Sequence, residues 1–74
     1  MVVDGDVPIE DIERALDIEI PIYDNKDDIN WVILDFLKRF PKSGETLVID
    51  HLKIVVEDID GSNNKITKVR IVKL

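Results

Sequence analysis

The spacing of hydrophobic positions changes along the chain, and each change marks an element. Met1-Val2-Val3 is a short apolar run closed by Asp4-Gly5-Asp6, which reads as the last residues of a strand entering a turn. Ile9, Ile12, Ala15 and Leu16 then recur at helical spacing. Pro8 suits a first helical position, and Glu10 and Asp11 complement the dipole of the first turn, so a helix is predicted over Pro8 to Leu16. Ile18, Ile20 and Ile22 alternate with polar residues and Pro21, and Tyr23-Asp24-Asn25-Lys26 is loop chemistry. The stretch reads as an extended connector that tucks isoleucines under the domain. Asp27 or Asp28 is a sound N-cap for the clearest element, in which Ile29, Val32, Ile33, Phe36, Leu37 and Phe40 fall at helical intervals. At about 100° per residue these six cover an arc of roughly 140°, the stripe of a helix lying on a core. Pro41 stops that helix and Lys42-Ser43-Gly44-Glu45 is a turn.

Beyond Gly44 the period shortens to two. Leu47-Val48-Ile49 is a short strand, Asp50-His51 a tight turn, and Leu52 to Ile59 a longer strand with Leu52, Ile54 and Val56 on one face. Gly61-Ser62-Asn63-Asn64 has the residues of a hairpin loop, and Lys65 to Lys73 returns as a strand. The predicted order is β-α-α-β-β-β. Consecutive strands form an antiparallel meander, and two amphipathic helices cover one face of it, which makes a two-layer α+β domain occupying residues 1–74.

Composition narrows the chemistry. The 74 residues contain no Cys and one His, with ten Lys and Arg against sixteen Asp and Glu for a formal net charge of -6. That balance argues against nucleic acid and anionic lipid as main partners, and no apolar run approaches the roughly 18 residues of a membrane span. Asp58-Ile59-Asp60-Gly61 resembles a calcium loop, but Gly61 stands at position four and Val69 at position twelve, where an EF-hand needs Gly at six and Glu at twelve. A hairpin turn is the simpler reading. Asp24, Asp27 and Asp28 form an acidic cluster with the oxygen ligands a divalent cation takes, but loop solvation and helix capping already explain them, and His51 has neither Cys nor a second His for a zinc site. Ser43 and Ser62 lack a nucleophile elbow, and Gly5, Gly44 and Gly61 are scattered singly. No catalytic, metal or cofactor site is expected. Trp31 lies about 180° from the centre of the helical stripe, with Leu34 and Lys38 near it. Such a Trp is either an interaction hot spot or a cover for the isoleucine-rich connector.

The chain resembles the transporter-associated domain of the CorC/HlyC family, found at the C-terminus of CBS-domain proteins described as magnesium and cobalt efflux or hemolysin-like proteins. The resemblance rests on Val2-Val3-Asp4-Gly5 followed by Val7-Pro8-Ile9-Glu10-Asp11-Ile12, on Phe40-Pro41-Lys42-Ser43-Gly44-Glu45, and on the closing run Leu52 to Asp60 and Lys65 to Ile71. Where that family tends to carry Gly, this chain has Asp17, Trp31 and Lys38, and Asp28 stands where a capping Thr is usual. The resemblance implies a non-catalytic regulatory domain on the cytoplasmic side of the cell membrane. It also implies a larger membrane protein whose upstream CBS pair and membrane domain are its partners, with modulation of magnesium or cobalt transport as its role. A homodimer is a further expectation. The family's fold is similar to a subdomain of FAD-binding oxidases, so the alternative expectation is a module binding a flavin or another nucleotide.

Overall fold

The computed structural model describes residues 1–21, 23–24 and 26–74, so Ile22 of the connector and Asn25 lie outside the described residues. The order of elements is β1 (Val2–Asp4), α1 (Ile9–Leu16), α2 (Ile29–Leu37), β2 (Thr46–Ile49), β3 (Leu52–Asp60) and β4 (Lys65–Lys73). The strands form one antiparallel sheet in the order β1-β4-β3-β2. The meander predicted from the spacing is the β2-β3-β4 part. What periodicity does not carry is the place of β1, which skips the helices and pairs with the last strand, Val2 opposite Arg70 and Asp4 opposite Lys68.

Both helices pack on one face of this sheet. Ile9 and Ile12 of α1 and Ile29, Val32 and Ile33 of α2 are buried against Leu47, Ile49, Leu52, Ile54, Val56, Ile66, Val69 and Ile71 of the strands. Period two puts those strand residues on the inner face, and period near 3.6 puts the helical ones opposite them. Ile20 of the connector joins this core and Ile18 packs at its edge, as the alternation of isoleucines predicts. β-branched side chains form almost the whole interior, which suits stiff rotamers in a sheet-based core.

Two helix boundaries differ from the sequence expectation. Pro8 is the extended N-cap of α1, with ψ 151°, and not its first helical residue. α2 ends at Leu37 because Lys38 turns left-handed, φ 59°, so Phe40 lies beyond the helix, although it still packs against the core. Phe36 is 42% exposed even though its angle lies within the apolar stripe. A helical projection gives a direction, and says nothing of how far the buried floor extends beneath it.

The helix starts are tied together by backbone alone. Ile9 N–H donates to the Asp27 carbonyl at 2.8 Å and Ile29 N–H to the Val7 carbonyl at 2.9 Å, an antiparallel bridge between Pro8 and Asp28. Each bond satisfies an amide that a helix N-terminus leaves without an intrahelical partner.

Candidate interaction surface

Trp31 owes its position to Asp28. The Asp28 carboxylate accepts from the Trp31 N–H at 2.7 Å, which caps α2 and fixes the angle at which position 31 leaves the helix. The indole is 49% exposed, and its ring meets Tyr23 of the connector edge-to-face, with centroids 6.1 Å apart and planes at 85°. The reading of Trp31 as a cover for the connector holds in part: one side of the indole meets Tyr23 and the other faces solvent. Burial above all, and then the Asp35 carboxylate and its hydrogen bond, hold the Tyr23 phenol above its ordinary pKa. Lys38 Nζ donates to Asp35 at 3.2 Å from an exposed position, while Leu34 is half-buried and packs against the core. The indole thus stands half-exposed against Tyr23, while Lys38 at the end of the same helix is paired with Asp35.

The Pro41 to Glu45 turn is a second built feature. Pro41 is fully buried, Gly44 adopts φ 86°, and the Gly44 N–H donates to the Val56 carbonyl. Glu45 accepts from the Lys42 N–H at 3.1 Å and from Arg39, while its own carbonyl accepts from Val56 N–H at 2.9 Å. The Arg39 hydrogen bond, followed by that of the Lys42 amide, lowers the Glu45 pKa below its ordinary value. The turn therefore locks α2 to the β3 edge through charge-assisted and backbone bonds.

The sequence pattern placed Gly5 in a turn and gave Asn30 no role, and the structure joins them. Gly5 N–H donates to the Thr67 carbonyl at 3.1 Å, Asn30 N–H donates to the Gly5 carbonyl at 2.9 Å, and Asn30 Oδ1 accepts from Ile66 N–H at 2.9 Å. A Cβ on Gly5 would lie 1.9 Å from the Ile66 carbonyl oxygen. One turn thereby clamps β1, α2 and β4 at a single point. The only signal for it in the sequence is the Asp-Gly pair itself.

The acidic candidates are occupied locally. Asp24 accepts from Lys26 N–H at 2.9 Å, Asp28 caps α2, and Asp60 accepts from Ser62 N–H and the Asn63 amide across the hairpin loop. The Asn63 and Ser62 bonds, in that order, hold the Asp60 carboxyl below its ordinary pKa. Among the described residues no three His, Cys, Asp or Glu side chains converge as a metal site. The first-turn amides of α2 are taken by Val7, Gly5 and Asp28, which leaves that helix start without free donors for a pyrophosphate.

The family model for the CorC_HlyC transporter associated domain matches residues 1–74. The chain belongs to this family. The transporter associated domain described here is 34% identical over 73 residues to the polyamine export protein of Salmonella typhimurium, covering 97% of this chain and about 16% of the length of that relative. It superposes on the CorC_HlyC domain of a Xylella fastidiosa Temecula1 hemolysin, solved in complex with Mg++ and Mn++, with TM-score 0.82 at 26% identity, covering 99% of this chain and 85% of that one. A CorC_HlyC domain from Haemophilus ducreyi is similarly close, with TM-score 0.80, 27% identity and coverage of 100% and 95%. The family is named for association with transporters and not for a reaction. Among the described residues no helix is long and apolar enough to cross a membrane.

Proposed function

We propose that this transporter associated domain is a non-catalytic regulatory module of a CBS-domain membrane protein, lying on its cytoplasmic side and modulating export of a cation such as magnesium or cobalt. The observation that carries the reading is the family match over the whole chain, joined to a curated relative that is an exporter and of which such a domain forms a small part. Trp31, Leu34 and Lys38 supply the docking surface toward the upstream CBS pair: a half-exposed indole on a rigid, capped helix can be buried by a partner at low entropic cost. The polyamine cargo of the Salmonella relative belongs to the same chemical class, a multiply charged cation.

The test is flux through the complete transporter in vesicles, with magnesium and cobalt as cargo. Trp31→Ala and Lys38→Glu are expected to change the rate or its regulation without changing the amount of folded protein. Unaltered flux of both ions in both variants, and after removal of the whole domain, would overturn the proposal.

A further inference from the structure

The face of the sheet turned away from the helices is open, and its residues form three rows set by the strand register. Val48, Lys53 and Val72 lie across β2, β3 and β4 in the first row. Thr46, Val55, Arg70 and Val2 form the second across all four strands, and Asp58, Lys68 and Asp4 the third. Val2, Val48 and Val72 are 52%, 51% and 43% exposed, a valine-rich patch on a domain this small. Glu57 is tied to Arg70 at 2.8 Å, so the middle row is close to neutral.

The end rows differ in sign. The first carries one cation, and the third carries two carboxylates around one lysine. Residues 1–37, which include both helices, hold eleven acids and two bases, whereas residues 38–74 hold five acids and eight bases. A second copy approaching the helical side meets like charge, whereas one approaching the open sheet face meets charges of both signs.

We propose that this face is the interface of a two-fold homodimer, with the axis running across the strands along the Val55–Arg70 row. That operation lays the first row of one protomer over the third row of its partner and keeps each strand facing itself. Lys53 then meets Asp58 of the second copy, twice by symmetry, while Val55 meets its own equivalent near the centre beside Arg70, whose charge Glu57 offsets, and Val2 meets its equivalent at the edge strand. Sheets packed this way keep aligned strands about 10 Å apart. Four strands at about 4.8 Å and three rows about 7 Å apart give a footprint of roughly 19 by 20 Å per protomer. That size belongs to weak, reversible association and not to an obligate dimer. The face is distinct from the Trp31 surface and the inference does not depend on the regulatory reading.

Sedimentation equilibrium of the 74-residue domain up to millimolar concentration tests it, in low and in high salt. The parent is expected to dimerise reversibly, and more weakly as salt screens the cross-interface pairs. Lys53→Glu and Asp58→Lys should each weaken the dimer at least about tenfold through like-charge contacts, and the double variant should restore it. Both sites are exposed, so melting midpoints near that of the parent establish folded variants. A monomer throughout, single reversals without effect, a double variant that stays weak, or a dimer lost in Trp31→Ala and kept in Lys53→Glu would each overturn the proposal.

Discussion

Removing the Asn30 side chain should reveal how much of the fold hangs on one acceptor. In Asn30→Ala the backbone bond from residue 30 to the Gly5 carbonyl survives, but the partly buried Ile66 N–H loses its acceptor at 2.9 Å. An unsatisfied buried donor costs about 1 to 3 kcal/mol. Ala is the better helix former by about 0.5 kcal/mol, which offsets part of that loss. The net expectation is about 0.5 to 2.5 kcal/mol, against roughly 3 to 5 kcal/mol available to a single core of this size. At about 4 to 8 °C per kcal/mol for such a domain, the melting midpoint should fall by between a few and about 20 °C. Asn30→Asp keeps an acceptor oxygen and should lose less. Thermal melts, with hydrogen exchange read at the Ile66 amide, measure both effects. A midpoint in Asn30→Ala equal to the parent's, with Ile66 exchange unaltered, would refute the clamp.

Other positions give equally definite outcomes. Gly5→Ala places a methyl 1.9 Å from a backbone oxygen that cannot swing aside, and urea titration should show a loss of about 1 to 3 kcal/mol or more. Lys38 sits at φ 59°, so Lys38→Gly should raise stability by about 1 kcal/mol, and a loss in the same titration would contradict the left-handed cap. Because the folded-state pKa of Glu45 is lowered, its contribution is present above the ordinary glutamate range and disappears as pH falls through the folded value. Midpoints measured against pH should therefore show a shallower acid decline in Glu45→Gln, and parallel curves would count against the Arg39 and Lys42 contacts.

Local patterns were legible and non-local contacts were not. The alternation from Leu47 onward located the three later strands and both their turns, because side-chain period and turn chemistry are properties of adjacent residues. Asp28 was legible as a cap for the same reason. The pairing of β1 with β4 was not, since a three-residue run has no period of its own and its partner lies at the other end of the chain. Trp31 illustrates the middle case. Its angle on the helix placed it opposite the stripe, but only the fold of the connector shows that Tyr23 covers one edge of the indole. Asp17 and Lys38 stand where the family resemblance placed Gly, and both are left-handed, φ 55° and 59°. The backbone has kept the conformation that glycine adopts most readily, with side chains that must tolerate it.

The pairing of the first strand with the last also sets a temporal order. The β3-β4 hairpin closes across four loop residues, whereas Met1 N–H and carbonyl meet Ile71 some 70 residues away. Joining ends that far apart in an otherwise unstructured chain costs on the order of 4 kcal/mol in loop entropy, more than a three-residue edge strand can recover alone. β1 can therefore settle only after the hairpin and helices have already shortened the gap, and it is the strand whose amides should open soonest in the native state. Until it does settle, β4 is an unprotected edge, and the interval between hairpin formation and strand closure is when a nascent chain is most exposed to pairing with another molecule.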